Sequence, residues 1–525
     1  MLPRDFIRRC AAALPDKIAY YDAERSITWG EIDRRSDAFA GAMQNLGIGK
    51  SDAVGILSLE HIEVYEHLFA CYKLGAPRVG INARYAQREM LHVIRDSDMR
   101  LLLIHAACVD LLRDRIDELI AEGRLLVGYG GDHGLPHDYE TLLVDAPDAP
   151  DLPALDEEDL IAVSYTSGTT GVPKGVMLTQ RGMRESMLHT VLGIGLQHKD
   201  VWFTPTASAW VTFVLSSMNM VNGMSVLIPS GGFEPRRGLE YIGRYGVTAI
   251  ILVPVMIQRV LAEYASGDFD LSTLRLLVYG SSPARPSLIR QTMDTFGCEM
   301  MQIYGLTECT GGWVSFLQHA DHLKGLAGDE GLLASCGRAG MHMEVSIRDA
   351  QGQPLPTGET GEVWLRSDTN MVGYLNLPDQ SAGALKGDGW LSTNDLGRLD
   401  EHGYLYLTDR KNYLIITGAA NVFPSSVETV LSEHPAVREV AVVGAPHPEW
   451  GEAVVAAVSL HDGRQATPEE LTAFCREKLA GYEVPKHVEI LDDLPKGITG
   501  KILKSTIQAR YRKEGNKLPW APPED

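Results

Sequence analysis

Short apolar runs and longer amphipathic stretches alternate through the first 150 residues of the chain. Four runs have the length and composition of buried strands: 53–57, 77–81, 101–104 and 125–127. Two stretches are predicted helices: 27–46 and 61–74. A chain that alternates strands and helices in this way is predicted to adopt a layered α/β fold with mostly parallel strands.

Further apolar runs end in turns of small or polar residues. These runs are predicted strands: 160–163, 201–205, 247–253 and 274–280. Ligands of open α/β sheets bind beside the carboxyl ends of strands, so several turns in that position predict one shared site. The apolar segment 209–228 contains serines, asparagines and a glycine, which favours a buried helix followed by a strand over a membrane span.

The pattern changes in the last third of the chain. Strands with period-2 or aromatic character at 344–348, 361–366 and 403–407 predict antiparallel structure in a small β-barrel-like piece. We therefore expect a large N-terminal domain, 1–411, of layered α/β subdomains plus that piece. A small α+β C-terminal domain is expected at 412–525.

Composition narrows the class of protein. The length of 525 residues is too great for one hydrophobic core. The net charge of −21 argues against a nucleic-acid or anionic-membrane partner, because both bind clustered lysine and arginine. The seven scattered cysteines, without a CxxC pair, predict reduced thiols in a cytoplasmic protein without structural zinc. No signal-peptide pattern begins the chain, and the sequence allows a homodimer.

Residues 165–175 read Tyr-Thr-Ser-Gly-Thr-Thr-Gly-Val-Pro-Lys-Gly. A glycine-rich turn directs backbone N–H groups into one concavity, which favours an anion. The hydroxyl groups and Lys174 beside that turn favour a polyphosphate. The stretch is not a Walker A loop, because Lys174 stands three residues after Gly171 with proline between them. Thr179 is a predicted N-cap for the helix that follows.

Other candidate chemistry follows later in the chain. In Tyr-Gly-Leu-Thr-Glu, Thr307 can bond a phosphate oxygen and Glu308 can hold Mg²⁺, although such a pair alone is more often a helix N-cap. Asp395 can chelate two vicinal hydroxyls, or cap a turn. Arg410 follows a predicted strand. Lys501 follows a predicted glycine turn, from which its long cationic side chain can reach into a cleft.

In this order, residues 165–175 and the stretches around Thr307, Asp395, Arg410 and Lys501 resemble the five signature motifs of the adenylate-forming superfamily. Its members are acyl- and aryl-CoA synthetases, peptide-synthetase adenylation domains and firefly-type luciferases. The likeness implies ATP, Mg²⁺ and CoA as cofactors. It also implies two half-reactions, formation of an acyl-AMP and then of a thioester with CoA. Because one site must serve both, it implies a mobile C-terminal domain that turns between them.

The resemblance implies roles for individual residues. Nucleotide contacts are implied for Thr166, Ser167, Gly168, Thr169, Thr170, Gly171, Lys174, Gly280, Ser281, Ser282, Pro283, Gln302, Tyr304, Gly305, Asp395 and Arg410. Thr307 is implied to meet the α-phosphate, Glu308 the metal, and Lys501 the charge between the substrate carboxylate and the α-phosphate. Asn412 is the implied hinge, and the implied pantetheine tunnel is lined by Gly418, Ala419 and Ala420.

Three positions depart from the superfamily pattern. Gln302 stands where many members have asparagine, Asn394 replaces the glycine before Asp395, and Asn412 replaces a common aspartate or lysine. Asp395 itself is kept, and a carboxylate that chelates two vicinal hydroxyls is what the function needs, so the ribose contact is still expected. Asparagine tolerates unusual backbone angles, so hinge action at Asn412 is still expected as well.

The acid pocket is expected near Pro205. Thr206 replaces the aspartate that pairs with the substrate amino group in peptide-synthetase domains, which argues against an α-amino acid. Ser208 stands where many fatty acyl-CoA synthetases have histidine. Trp210 and Phe213 are large and apolar, as in a pocket for a hydrophobic or cyclic acid, although a helix here more often builds core.

The sequence thus predicts an ATP-dependent, AMP-forming carboxylic acid–CoA ligase. Its substrates would be ATP, CoA and a small-molecule acid of hydrophobic, bulky or cyclic character. One alternative is an acyl-AMP ligase that loads a carrier protein acting in trans. A second is a catalytically silent ATP-binding relative.

Overall fold

In the computed structural model, the described residues are 1–23, 25–146, 150–166, 173–229, 232–282, 284–410, 413–417, 420–497, 502–513, 518 and 520. The side chains of Arg410, Asn421 and Lys513 are outside this description. The chain divides into two compact units. The larger unit comprises Met1–Val345, Trp364–Ser392 and Gly403–Leu405. The smaller unit comprises Ser346–Val363, Thr393–His402 and Tyr406–Asp525.

Strands and helices alternate at the start of the larger unit, as the hydrophobic pattern predicts. The strands are β1 (Ile18–Tyr21), β2 (Ser26–Thr28), β3 (Val54–Ser58), β4 (Arg78–Asn82), β5 (Leu101–His105), β6 (Leu125–Tyr129) and β7 (His137–Asp138). The helices are α1 (Pro3–Ala13), α2 (Trp29–Asn45), α3 (Ile62–Leu74), α4 (Gln87–Asp96), α5 (Ile116–Ala121) and α6 (Tyr139–Val144). The expected helix at 27–46 begins only at Trp29, because residues 26–28 pair with β1.

The alternation of strands and helices continues to residue 339. The strands are β8 (Leu160–Thr166), β9 (Lys174–Thr179), β10 (Val201–Phe203), β11 (Ser225–Leu227), β12 (Ala249–Leu252), β13 (Leu276–Gly280), β14 (Glu299–Gly305), β15 (Trp313–Leu317) and β16 (Arg338–Ala339). The helices are α7 (Gln180–Ile194), α8 (Phe213–Ser217), α9 (Pro235–Tyr245), α10 (Pro254–Tyr264), α11 (Pro286–Phe296) and α12 (His319–Leu326).

The remaining elements are shorter or antiparallel. The strands are β17 (Glu344–Arg348), β18 (Gly361–Arg366), β19 (Gly373–Tyr374), β20 (Trp390–Leu399), β21 (Leu405–Arg410), β22 (Ile415–Thr417), β23 (Ala420–Val422), β24 (Val437–His447), β25 (Gly451–Leu460) and β26 (His487–Ile490). The helices are α13 (Pro378–Ala384), α14 (Pro424–Ser432), α15 (Pro468–Arg476) and α16 (Lys504–Lys513).

Two large mixed sheets organise the larger unit. One has the order β19-β9-β8-β4-β3-β5-β6-β7, and the other has the order β16-β15-β14-β13-β12-β10-β11-β1-β2. The central strands of both sheets pair in parallel. Their runs are buried on both faces, as expected where helices cover a parallel sheet. The layered α/β prediction is therefore confirmed.

Two smaller sheets complete the fold. The four-stranded sheet has the order β17-β18-β20-β21 and lies in the region predicted to be antiparallel. In the smaller unit, β23, β22, β25 and β24 form a sheet to which β26 adds in parallel beside β25. Helices α14 and α15 contribute Val427, Leu431 and Leu471 to the core of that unit. This is the α+β character expected after residue 412.

The apolar segment 209–228 is intramolecular core. It contains α8, a 3₁₀ turn at Met218–Val221 and β11, all largely buried. No helix in the part of the chain that the structure describes is both long and apolar enough to cross a membrane. All seven cysteines lie among the described residues, where they are buried and form no disulfide.

Candidate functional site

The glycine-rich stretch joins two antiparallel strands of one sheet. Thr166 ends β8 and lies opposite Lys174, which begins β9. Residues 167–172 between these strands, which include the predicted contacts Ser167, Gly168, Thr169, Thr170 and Gly171, lie outside the described residues. Strands β8 and β9 form a hairpin, and the sheet holds the two ends of the glycine-rich stretch in register.

Helix α4 anchors both ends of this hairpin. The Tyr165 hydroxyl donates to an Asp96 carboxylate oxygen at 2.7 Å. The His92 ring and the Pro173 carbonyl oxygen lie 2.9 Å apart. Burial, and next the Asp96 carboxylate, raises the pKa of Tyr165, so the phenol stays protonated and keeps this bond. The predicted N-cap beyond the hairpin is also present, since the Gly182 N–H donates to Thr179 Oγ1 at 3.1 Å.

The Tyr-Gly-Leu-Thr-Glu motif leaves the other large sheet where β14 ends. Thr307 and Glu308 lie in a 3₁₀ turn, Thr307–Cys309, and both are half-buried. Thr310 has a left-handed backbone with φ of 57°, which ends the turn. Its hydroxyl donates to the Thr369 carbonyl at 2.6 Å, and the Met371 N–H donates to the Glu308 carbonyl at 2.7 Å. The motif is therefore fastened to the segment 369–374.

Tyr374 connects the hairpin to this motif. Its hydroxyl donates to Glu308 Oε1 at 2.9 Å. The Lys174 Nζ lies 5.1 Å from the centroid of the Tyr374 ring. Because β19 pairs with β9 and places Tyr374 opposite Val176, sheet register fixes this meeting. Lys174 and Glu308 are thereby brought to one ring.

Sequence reasoning missed Tyr374. The residue is 66 positions from Glu308 and belongs to a two-residue strand, so no local periodicity marks it. The signal that identifies it is the pairing of β19 with β9, which only the folded chain displays.

Among the residues predicted to contact the nucleotide, Gly280, Gln302, Tyr304 and Gly305 occupy two neighbouring strands. Gly280 ends β13 and pairs with Ile303 of β14, between Gln302 and Tyr304. A Cβ atom at Gly280 would lie 2.6 Å from the Ile303 carbonyl oxygen, so only glycine permits this approach. Gln302 is buried, and Tyr304 and Gly305 are half-buried. Ser281 follows with φ of 67°, Ser282 is exposed, and Pro283 lies outside the described residues.

Cys309 follows the Tyr-Gly-Leu-Thr-Glu motif and is a buried packing residue. Its thiol donates to the carbonyl oxygens of Leu306 and Gly312. Burial raises the pKa of the thiol to about 12. A thiol that stays protonated is a poor nucleophile, so Cys309 contributes no covalent chemistry.

The predicted ribose ligand belongs to the smaller unit. Asp395 lies in β20 and is buried. Its N–H donates to Thr393 Oγ1 at 3.0 Å, and that hydroxyl donates to the Val363 carbonyl at 2.8 Å. Asn394 has φ of 61° and is exposed. The left-handed backbone explains how asparagine stands where the resembling family has glycine.

A substitution series at Asn394 tests this backbone requirement. Asn394→Val is expected to lower the free energy of unfolding by about 1–2 kcal/mol, because a β-branched residue is strained at positive φ. Asn394→Gly is the matched control and is expected to change that free energy by less than about 0.5 kcal/mol. Denaturant unfolding of the three proteins measures both effects, and equal stability of valine and glycine variants would contradict the assignment.

Several predicted residues lie where the structure gives no side-chain detail. Asn412, Gly418, Ala419 and Lys501 lie outside the described residues. The Arg410 side chain does so too, although its backbone ends β21. Ala420 begins β23 and pairs with Thr417. The expected boundary between residues 411 and 412, and the roles of all these residues, stay predictions.

The predicted acid-pocket residues lie together around α8 in the larger unit. Thr206 and Trp210 are half-buried, whereas Ser208 and Phe213 are buried. The Thr206 and Thr204 hydroxyls are 3.0 Å apart, and the Trp210 Nε1 lies 3.5 Å from the Tyr85 hydroxyl. Part of this segment therefore builds core, and Thr206 and Trp210 remain exposed enough to meet a ligand.

No group of three or more histidine, cysteine, aspartate or glutamate side chains is placed to hold a metal within the described ranges. Glu308 is a single carboxylate. Mg²⁺ in nucleotide sites is commonly held by one or two carboxylates together with substrate phosphates, so this donor set fits a metal that arrives with a nucleotide.

Comparison with known proteins adds three kinds of match. The family model described as "AMP-binding enzyme" matches residues 7–375, and that described as "AMP-binding enzyme C-terminal domain" matches residues 426–501. The fatty acid–[acyl-carrier-protein] ligase ScoC of Streptomyces coeruleorubidus is 33% identical over 499 residues, covering 93% of this chain and 92% of that protein.

A feruloyl-CoA synthase of Amycolatopsis sp is 32% identical over 510 residues, covering 96% of this chain and 98% of that protein. Among solved structures, the o-succinylbenzoate CoA synthetase of Bacillus subtilis in complex with the acyl-adenylate intermediate OSB-AMP has a TM-score of 0.82. It is 27% identical to this chain, and the match covers 96% of this chain and 97% of that one.

Proposed function

The chain belongs to the adenylate-forming superfamily, among the AMP-forming acid–thiol ligases, and we propose that it joins a hydrophobic, bulky or cyclic carboxylic acid to CoA. The observation that carries the proposal is the meeting of Lys174 and Glu308 at the Tyr374 ring. A lysine at the hairpin and a carboxylate at the end of β14 are the charges that a magnesium-bound polyphosphate requires at its two sides.

In the first half-reaction, the acid carboxylate attacks the α-phosphorus of ATP and pyrophosphate leaves. The glycine-rich residues 166–171 and Lys174 bind the phosphates, and the Thr307 hydroxyl meets the α-phosphate. Glu308 would hold Mg²⁺, which would neutralise charge on the phosphate oxygens. Lys501 stabilises the negative charge that develops between carboxylate and phosphorus. The product is an acyl-AMP.

In the second half-reaction, the thiolate of CoA attacks the acyl carbonyl and AMP leaves, which gives a thioester. The C-terminal domain turns about Asn412 between the two steps. The turn withdraws Lys501 and brings the loop with Gly418, Ala419 and Ala420 to the acyl group. Asp395 holds the ribose hydroxyls of the nucleotide, and Arg410 contacts its ribose or its phosphate.

The acid pocket supports a substrate without an α-amino group. Thr206 offers a hydroxyl in place of a carboxylate, so an ammonium group there would lack a counter-charge. Half-buried Trp210 offers a broad apolar surface of the kind that packs against a ring. The feruloyl-CoA synthase, by its name a ligase of an aromatic acid, matches 96% of this chain over 98% of its own length and supports this substrate class.

A carrier protein is the second candidate acceptor. The relative named as a fatty acid–[acyl-carrier-protein] ligase favours it, because that protein matches 93% of this chain. Mixing the enzyme, ATP and acid with either CoA or a pantetheinylated carrier protein, and measuring loss of free thiol, separates the two acceptors. We expect thiol loss with CoA; loss with the carrier alone would transfer the proposal to the carrier.

Carboxylate-dependent exchange of pyrophosphate into ATP tests the function itself. We expect exchange with at least one member of a panel of fatty, aryl and polycyclic acids, and no exchange without acid. Absence of exchange with every acid, in a folded protein that binds ATP, would favour the catalytically silent alternative.

A further inference from the structure

Arg78 is a buried cation that the proposed chemistry does not use. It projects from β4 and is 1% exposed. Its Nη1 donates to the Ser208 carbonyl oxygen at 3.0 Å, and its guanidinium lies 5.0 Å from the centroid of the Phe213 ring. Its Nε and Nη2 have no hydrogen-bond partner among the described residues. Burial of an arginine is costly, so packing alone does not account for it.

Glu60 carries the opposite charge, and it binds Ser208, the residue that Arg78 also binds. It follows β3 and is 4% exposed. Its Oε1 accepts the Ser208 N–H at 2.6 Å, and its Oε2 accepts the Tyr65 hydroxyl at 2.7 Å. An anion therefore holds the N–H of Ser208 while a cation holds its C=O. Both are charge-assisted hydrogen bonds, the stronger kind, in an interior of low dielectric constant.

Ala209, the residue after Ser208, packs against the same face of β4 as Arg78. A Cβ atom at Gly80 would lie 2.7 Å from Ala209 Cα, so the backbones of strand and segment are in direct contact. Helix α8 is held as well, since the Tyr20 hydroxyl donates to the Ser216 carbonyl at 2.8 Å. Tyr20 in turn stacks on Tyr65, with ring centroids 4.4 Å apart. The segment 206–216 is thus fixed by buried side chains of β1, β4 and α3 and the loop after β3.

We propose that Arg78 and Glu60 are positioning residues that set the selectivity of the enzyme for its acid. By hydrogen-bonding to both backbone polar atoms of Ser208, they hold the neighbouring Thr206 and Trp210 in one position and orientation. These charge-assisted hydrogen bonds resist displacement of the segment because neither buried ion can exchange its partner for water. The inference rests on the proposed function, since it presumes that this segment meets the acid.

Two substitutions test the role of these hydrogen bonds. Arg78→Met fills the volume without a donor, and Glu60→Gln keeps the shape without the charge. In the pyrophosphate-exchange assay, each is expected to raise the KM for the best acid at least about 10-fold and to leave the KM for ATP within about 2-fold. The ratio of kcat/KM between the best and the next-best acid is expected to fall at least about 5-fold.

Lys73→Met is the matched control for loss of a buried cation. Lys73 is completely buried in α3 and pairs with Asp33 and Asp37 of α2, at 2.6 and 2.9 Å. This variant is expected to lose stability while both KM values and the acid ratio stay at their wild-type values. Arg78→Lys retains the charge and is expected to restore part of the selectivity.

The outcomes separate the inference from the function on which it rests. If the Arg78 and Glu60 variants change KM for acid and ATP equally, or match Lys73→Met, the positioning role is wrong although the exchange activity stands. If wild-type protein exchanges with no acid, the proposed function is wrong. Should Arg78→Met fail to fold, Glu60→Gln tests the positioning role through the same two KM values.

Discussion

Replacing Lys501 by alanine is expected to lower acyl-AMP formation by about 10²–10³-fold, which is the usual cost of removing one preorganised group from developing negative charge. The same variant is expected to form thioester from supplied acyl-AMP and CoA at close to the wild-type rate. The reason is that Lys501 is proposed to act in the first half-reaction only. Pyrophosphate exchange measures the first step, and release of AMP from synthetic acyl-AMP measures the second.

Lys496→Ala is the matched control for this experiment. Lys496 lies five residues earlier in the same C-terminal region, where it pairs with Glu439 at 2.9 Å and Asp493 at 2.7 Å. Its partners are carboxylates of its own unit, so its loss is expected to leave both half-reactions unchanged. Equal loss of both half-reactions in Lys501→Ala would refute the division of labour between the two steps.

Glu308→Gln is expected to lower adenylation by about 100-fold and to raise the Mg²⁺ concentration needed for half-maximal rate. Glutamine preserves the shape and can still accept the Tyr374 hydroxyl, so loss of the charge is isolated from loss of packing. Tyr374→Phe is expected to have a smaller effect, about 3- to 10-fold, because it removes one hydrogen bond to the carboxylate and leaves the charge.

Exchange rates measured against Mg²⁺ concentration distinguish these variants. Glu299→Gln is the control, because Glu299 is an exposed carboxylate at the other end of the same strand. A Glu308→Gln enzyme with an unchanged Mg²⁺ requirement would show that this carboxylate does not hold the metal. An effect of Tyr374→Phe as large as that of Glu308→Gln would show that the tyrosine has a direct role in the chemistry.

Local sequence predicts those parts of this fold that depend on local physics. The runs at 53–57 and 101–104 are strands because their residues are apolar throughout, and such runs are stable only between two layers of helix. The glycine-rich hairpin, the Thr179 cap and the turn after Gly280 are set by residues within a few positions of one another. The helix expected from residue 27 starts two residues later because pairing with β1 outweighs local propensity.

Parts that depend on register between distant segments were not predicted. Arg78 lies within a strand that was correctly expected, yet nothing near it in sequence indicates a buried cation, since Ser208 is 130 positions away. Glu60 is 148 positions from the same serine. Tyr374 likewise reaches Glu308 only through the pairing of β19 with β9. Contacts between segments this far apart leave no periodic pattern in the sequence.

Transfer of an oxygen label tests the central claim most directly. The acid with the fastest exchange is prepared with ¹⁸O in both carboxylate oxygens and is converted to its thioester in a single turnover with ATP and CoA. If the carboxylate attacks the α-phosphorus, one ¹⁸O is retained in the AMP that leaves, and mass spectrometry finds AMP heavier by one label. Unlabelled AMP, or ADP together with labelled phosphate, would contradict activation through an acyl-adenylate.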